Sequence, residues 1–406
     1  MAALPEVLAR SLRYRSLLRR PAVIRELTQI AEDEPTYGNV SAVCHSGDVL
    51  YAQMIEDISQ AQKRVLCEFY MFLSDETAWG FARALAEKAA EGVEVRVIYD
   101  AIGSLDAGEA IFRHLTAQGV EVLEYRPIAP WKNRFGVFGR DHRKILVIDD
   151  LIGYLGGFNL GDYWSESVSC QDVWRDTHVR LVGPAALDLT VLFTETWHRE
   201  TGKLLPVNES AVQAGHEPVD ESELPSGGIF IIGGRGHYRR RIRRLYAMEI
   251  GRATEQLLLT NPYMIPDRTI REALCQAADR GVDVRLLLPA RSDVALADLA
   301  GRQYFTKYLR RGIRIYLYQR SVLHAKCMVL DTSWATVGSA NLDSLSLNHN
   351  LECNAVIMGE ETVEVLEKQF WQDLEVSREV SLPEWKRRSW KSKLYEWLAS
   401  WLRPWL

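Results

Sequence analysis

Hydrophobic positions along this chain fall into short aliphatic runs separated by amphipathic stretches, and the same order of runs occurs twice. The segment CEFYMFLSDETAWGFARALAEKAAEGVEVRVIYD, starting at Cys67, resembles LLTNPYMIPDRTIREALCQAADRGVDVRLLLP, starting at Leu258. Each opens on a hydrophobic strand and passes a Tyr-Met pair, Tyr70 and Met71 or Tyr263 and Met264. Each then runs through a helical pattern and re-enters a strand after Gly92 or Gly281. A third stretch also pairs, FRHLTAQGVEVLEY with FTKYLRRGIRIYLY, at the same phenylalanine-to-glycine spacing. Each half therefore predicts a strand-helix-strand-helix-strand unit leading into one more aliphatic run, ILVI after Lys144 and MVL after Cys327. Both runs are bounded by polar turn residues and read as strands buried on both faces. Such alternation predicts α/β architecture, sheets covered by helices on both faces, with ligands gathered at strand ends.

Between the halves, residues 205–228 exchange hydrophobic periodicity for prolines, acidic residues and a Gly-Gly pair, which predicts a linker. The expected organisation is an N-terminal helical segment (1–37), a first half (38–204), the linker, a second half (229–383) and a tail (384–406). In the tail, Trp390, Leu394, Trp397, Leu398, Trp401, Leu402 and Trp405 recur at helical spacing, and Lys386, Arg387, Arg388, Lys391 and Lys393 precede or flank them. Tryptophan favours the headgroup region and basic residues are drawn to anionic lipid, so the stripe predicts an amphipathic helix lying in the membrane plane. The competing expectation is a helix that packs its stripe onto the protein's own surface. No apolar run of eighteen residues occurs, and the N-terminus lacks an apolar core, so neither a spanning helix nor a cleaved signal is expected.

The chemistry is carried by a repeated motif. His142, Lys144 and Asp149 stand in HRKILVID, and His324, Lys326 and Asp331 in HAKCMVLD. Gly156 and Gly338 each follow their histidine by fourteen residues, and Asn159 and Asn341 by seventeen. On a strand, a histidine and lysine two apart point to one side, while an aspartate seven on from the histidine faces the other way. Asp149 and Asp331 are therefore expected to fix backbone or loops rather than touch substrate, although as members of the motif they still count among the candidate catalytic residues. Two lysines and two asparagines brought together would supply donors for the non-bridging oxygens of a phosphoryl group. Near neutral pH a histidine can attack phosphorus as imidazole or donate a proton as imidazolium, so one of each completes a phosphodiester exchange.

The paired motif resembles the signature of the phospholipase D superfamily. WATVGSANLD and LSLNHNLE, ending at Glu352, look like the second motif region of bacterial cardiolipin synthases, closest to the shorter B-type enzymes, over most of residues 38 to 375. Leu345 stands where many of those enzymes carry an arginine. The resemblance implies two similar phospholipase D-like α/β/α sandwich halves around one pseudo-twofold active site, needing no metal or other cofactor. It implies His142 as nucleophile and His324 as general acid/base, an order the motif's symmetry leaves open. It implies Glu352, and more weakly Asp176 in DVWRDTH, as carboxylates orienting the imidazoles, and Lys144, Lys326, Asn159 and Asn341 as charge-stabilising donors. Ser339 is a further candidate phosphate donor, one-sided because Gly157 holds the equivalent place.

The implied reaction joins two phosphatidylglycerol molecules into cardiolipin and glycerol at the cytoplasmic face of a bacterial cell membrane, with the protein peripherally bound. Hydrolysis to phosphatidic acid, a phosphodiesterase acting on nucleic acid, and a non-catalytic lipid-binding protein are the alternatives, and nucleic acid is the unfavoured partner.

Composition narrows this only slightly. The 406 residues, 47% hydrophobic and 25% charged, suit a globular protein with two domain-sized cores. The net charge of −5 would weakly repel anionic lipid, which a local basic patch overcomes within a Debye length of about 10 Å. Six cysteines without a CxxC spacing read as buried free thiols and favour a reducing compartment. HYRRRIRRLY (237–246) reads either as a solvated face or as a dock for anionic groups. PWKNRFGVFGR, which precedes His142 and has no counterpart before His324, reads as a mobile, lipid-facing loop or a static surface one.

Overall fold

The computed structural model describes residues 21–32, 34–129, 138–169, 172–207, 228–234 and 240–403. Most of the expected linker and of the loop preceding His142 therefore lie outside the described residues, as do Cys170, Arg239 and Trp405.

The first half contributes seven strands: β1 (Val40–Cys44), β2 (Arg64–Phe69), β3 (Glu94–Asp100), β4 (Glu121–Tyr125), β5 (Lys144–Ile148), β6 (Ile152–Gly156) and β7 (His178–Val182). The second contributes β8 (Ile229–Gly234), β9 (Gln256–Thr260), β10 (Asp283–Pro289), β11 (Arg314–Tyr318), β12 (Cys327–Leu330), β13 (Trp334–Gly338), β14 (Glu352–Met358) and β15 (Ser377–Glu379). The sheets run β1-β7-β6-β5-β2-β3-β4 and β8-β14-β13-β12-β9-β10-β11-β15, the same order apart from the added edge strand. The duplication read in the sequence is thus a duplication of topology. In each half the first three repeat strands are parallel, and the motif strand enters antiparallel beside the first of them, pairing Lys144 with Phe69 and Cys327 with Thr260.

This pairing positions the site, because it puts the start of each motif strand at the carboxyl end of a parallel strand, where α/β sheets present their ligands. Both motif strands are buried along their whole length, as their aliphatic runs predict.

The outer face of each sheet is covered by helices of its own half. In the first half these are 47–59, 76–90 and 110–117, which pack on Val65, Val97 and Leu146. In the second they are 241–252, 268–279 and 305–310, on Leu257, Leu286 and Met328. The inner faces share one core. Helices Ala185–Thr201 and Glu360–Glu375 lie between the sheets, and Val147, Leu155, Phe193, Val329, Val337 and Phe370 belong to a single cluster spanning both halves. Covering is therefore by helices on both faces, but the inner layer is common property, so neither half has a complete core without the other.

Two boundaries move from the sequence expectation. The N-terminal helix Pro21–Ala31 buries Leu27 and Ala31 in the second half's outer core, and Thr36 bridges Ile229, so this segment docks on the half it does not precede. At the other end the second half extends past 383. Trp385 is buried and its ring lies 4.9 Å from that of Phe305, leaving the tail helix to begin at Trp390.

Candidate active site

The two motif strands bring both histidine-lysine pairs to one place, and short parallel bridges between the halves complete it. His142 donates its backbone N–H to Leu351 O at 3.0 Å, and Leu351 donates to Arg140 O at 2.8 Å. On the pseudo-symmetric side His324 donates to Arg175 O at 2.8 Å, and Arg175 to Val322 O at 2.8 Å. Each bridge holds the segment carrying one half's histidine against the segment carrying the other half's acid. The result is crossed: His142 Nδ1 faces both oxygens of Glu352 at 3.1 Å, and His324 Nδ1 faces Asp176 Oδ2 at 2.6 Å.

The repeated glycines make room for these acids. A side chain at Gly156 would meet the backbone of Thr177 and His178 at 2.5 Å, and one at Gly338 would meet Cys353 O at 2.3 Å, so the acid-bearing strands could not approach. At Gly157 an added Cβ would sit 1.9 Å from Asp176 Oδ1. In the second half this place is Ser339, and there the longer Glu352 reaches past it. The Ser339 hydroxyl donates to Glu352 Oε2 at 2.5 Å and accepts from Cys353 N at 3.0 Å. The expectation of Ser339 as a phosphate donor is corrected: its one proton is spent on the carboxylate that orients His142.

Lys144 and Lys326 are both almost fully buried. Lys144 Nζ donates to His142 O at 2.5 Å, and Lys326 Nζ to His324 O while lying 2.9 and 3.1 Å from the two nitrogens of the His324 ring. Asn159 is held by its Oδ1, which accepts from Met71 N at 3.1 Å, and its buried Nδ2 has no partner among the described residues. A satisfied acceptor and an idle donor suit an amide kept for an anion. Asn341 is also buried, with its Oδ1 unpartnered in the same sense.

Electrostatics follow from this burial. Desolvation, reinforced by Lys144, lowers the pKa of His142 to about 4 against the pull of Glu352. Desolvation likewise lowers Lys144 to about 7 and pushes Lys326 down. Burial opposes ionisation of Asp176, but the Lys326 charge and the His324 hydrogen bond overcome it and hold its pKa at about 2. Glu352 is lowered in the same way, burial being outweighed by His142, Lys144 and Ser339. The site thus keeps two carboxylates charged and offers His142 as neutral imidazole at neutral pH.

Asp149 and Asp331 do not join this cluster. Their strands end just before them, at Ile148 and Leu330, and both sit at positive φ in the following turn. Asp149 accepts from the backbone N–H of Gln62, Lys63 and Arg64, and Asp331 from those of Thr254, Glu255 and Gln256. The backbone-fixing expectation holds, and their inclusion among the residues of the reacting centre does not.

Residues the motif does not contain also line the centre. Tyr70 packs edge-on against the His142 ring, with centroids 4.8 Å apart, and its face lies 5.2 Å from Lys144 Nζ. Its signal in the sequence was the repeated Tyr-Met pair. Trp174 and Trp164 flank the His324 ring at 5.5 and 6.1 Å. His178 is buried with neither ring nitrogen partnered among the described residues, and desolvation lowers it to about 3. Among the described residues no group of three or more His, Cys, Asp and Glu is arranged to hold a metal ion.

The peripheral expectations resolve unevenly. Cys67, Cys275, Cys327 and Cys353 are buried free thiols and Cys44 a half-buried one. In the basic run, Arg241 pairs with Glu32 and Arg243 with Asp267, while Ile242, Leu245 and Tyr246 pack inward, so these two arginines serve the helix's own surroundings. No described helix is long and apolar enough to cross a membrane. The tail helix Trp390–Ser400 turns its small and polar side inward: Ala399 packs with Ala297 and Ala300, and buried Glu396 pairs with Arg388 at 2.7 Å. Trp390 and Trp401 remain 69% and 67% exposed, and Trp397 46%. None of the described residues of the stripe is buried against the protein itself.

A duplicated, mixed α/β fold with two crossed histidine-carboxylate pairs and two buried lysines in one centre defines a class of proteins built for phosphodiester chemistry. Comparisons with known proteins place the chain within it. The family described as cardiolipin synthase, phospholipase D-like domain, matches residues 54–170 and 246–374. A cardiolipin synthase of Geobacillus thermodenitrificans is 32% identical over 377 residues, 93% of this chain and 74% of that one. One from Clostridium perfringens is 32% identical over 396 residues, covering 97% and 81%. The fold matches the crystal structure of phosphatidylserine synthase from Haemophilus influenzae, with a TM-score of 0.72 at 15% identity, covering 94% of this chain and all of that one. The chain belongs to the phospholipase D-like cardiolipin synthase family.

Proposed function

We propose that this protein is a phosphatidyltransferase that joins two phosphatidylglycerol molecules into cardiolipin and glycerol. The observation that carries the reading is the crossed arrangement, His142 on Glu352 and His324 on Asp176 with Lys144 and Lys326 beside them, in a chain of this family. In the first step His142 attacks the donor phosphorus, the bond from phosphorus to the glycerol oxygen breaks, and His324 gives that oxygen its proton. In the second, His324 takes the proton of the acceptor's hydroxyl, whose oxygen attacks phosphorus as the bond to His142 breaks. One phosphodiester is lost and one made, so no energy donor is consumed.

The division of labour between the histidines is supported by their partners. His324 has the closer carboxylate contact, 2.6 Å against 3.1 Å, and Asp176 stays charged, which favours carrying a proton. Glu352 is shared between His142 and Ser339, which suits an imidazole that must present a free electron pair. Lys144, Lys326, Asn159 and Asn341 would stabilise charge on the non-bridging oxygens. The outward tryptophan stripe supports peripheral attachment to an anionic bilayer, and the cytoplasmic face of a bacterial membrane is part of the proposal.

Incubating the purified protein with phosphatidylglycerol vesicles and analysing lipids by mass spectrometry tests this. Cardiolipin and free glycerol are expected from the wild type and from neither His142→Ala nor His324→Ala. Phosphatidic acid as the sole histidine-dependent product would replace transfer by hydrolysis.

A further inference from the structure

Where the tail helix ends, a cavity of about 460 Å³ separates it from the second half. Arg271, Asp267, Asp343 and Leu347 line it on the body side, and Trp401 and Arg403 on the tail side. Its two arginines share one aromatic support: the guanidinium of Arg271 lies 4.4 Å from the centre of the Tyr304 ring, and that of Arg403 5.5 Å from the same centre. The hydrogen bonds that hold them go to neutral acceptors, Arg271 to Pro266 O and Arg403 to Ser400 O, both at 2.6 Å. Among the described residues neither forms an ion pair with a carboxylate. The two acids of the cavity are engaged elsewhere. Asp267 pairs with Arg243 and accepts from Ile270 N, and Asp343 accepts from Ser346 N at 2.7 Å. Partial burial, and then the charge of Arg271, disfavour the charged form of Arg403.

Two guanidiniums held on one aromatic ring, with no carboxylate ion pair and most of their donors unpartnered among the described residues, suit a phosphate, whose oxygens accept from both forks. We propose that this cavity binds a phosphate group between Arg271 and Arg403, supplied by the headgroup of an anionic phospholipid. Its place supports that source. The exposed face of Trp401 and the apolar tail stripe adjoin the opening, and Leu347 gives the wall an apolar part. The lipid source rests on the membrane reading of the tail, whereas the phosphate chemistry does not. The body wall, 343–348, is the stretch between Asn341 and Glu352, so an occupant would brace the segment that carries half of the reacting centre.

The test uses the full chain and vesicles of phosphatidylcholine with or without phosphatidylglycerol. Binding is measured by sedimentation, and thermal melting is followed with and without inorganic phosphate. Arg271→Ala and Arg403→Ala are each expected to weaken binding to the phosphatidylglycerol vesicles roughly tenfold, to leave phosphatidylcholine binding unchanged, and to be partly restored as lysine. Arg268→Ala, which removes an exposed arginine of the same helix paired with Glu272, controls for charge and is expected to change little. A phosphate-induced rise in melting temperature that disappears in Arg271→Ala, without the vesicle effect, would assign the cavity to free phosphate. Arginine variants that behave as Arg268→Ala in both assays would overturn the proposal. Trp390→Ser with Trp397→Ser tests the tail separately: unchanged binding to both vesicles would remove the membrane reading, and the phosphate assay would still decide the cavity.

Discussion

The carboxylate of Glu352, from the second half, stands 3.1 Å from Nδ1 of His142, from the first. Such a contact fixes the tautomer of the imidazole, keeping Nε2 free to attack, and stabilises positive charge when phosphorus is bound. Glu352→Gln keeps the shape and removes the charge. Phosphatidylglycerol turnover by this variant and by Asp176→Asn is expected to fall about 10²- to 10⁴-fold at unchanged melting temperature. Turnover within a few-fold of wild type would deny the acids an orienting role.

The pH profile should follow from burial. His142 must be neutral to attack and is protonated only as pH falls through about 4, while Lys144 must be charged and loses its proton as pH rises through about 7. Activity of the free enzyme is expected to fall on both sides of that window. Arginine does not deprotonate, so Lys144→Arg should change the alkaline limb, leaving only the part set by loss of the His324 proton, whose pKa burial pushes down from 6.5. An alkaline limb unmoved in this variant would assign it to another group.

His178 offers a stability test apart from catalysis. Its folded pKa of about 3 lies below the ordinary 6.5, so between those values the unfolded chain binds the proton and the folded one does not. Stability is therefore lost as pH falls below 6.5, at up to about 1.4 kcal/mol per pH unit. The register counterpart of His178 is Asn354, paired with Gly338 as His178 is with Gly156. His178→Asn should lose less melting temperature than wild type between pH 7 and pH 5, and parallel losses would contradict this account.

Asp149 ties three backbone N–H groups of the turn before β2 to the turn after β5. Asp149→Ala leaves those donors without their acceptor and should cost about 2–4 kcal/mol in denaturant unfolding, with turnover per folded molecule retained. Loss of turnover without loss of stability would return the residue to the reacting centre.

Gly157 is the close-approach point of Asp176. Gly157→Ala should displace that carboxylate from His324 and lower turnover at least tenfold. Ser339→Ala, which removes one donor to Glu352, is expected to act more mildly. A Gly157→Ala variant as active as wild type would mean that the contact is not needed.

Local rules determined much of this from the chain itself. The duplicated order of strands, the burial of ILVI and MVL, and the shared side of His142 and Lys144 all follow from period-two patterning, which depends only on neighbours. The detachment of Asp149 and Asp331 was also legible, although the turn that ends each strand, rather than parity along it, is what places them. Tertiary structure alone decided the crossing. Glu352 follows His324 by only twenty-eight residues, yet it serves His142, 210 residues away, because the bridge between Asp141 and Leu351 joins the halves there. It also decided that the inner helices form one common core, that Ser339 supports an acid instead of a substrate, and that Trp385 belongs to the body while Trp390 faces outward. Spacing records which residues repeat. Which half's acid reaches which half's histidine depends on how two surfaces pack, and no local period encodes that.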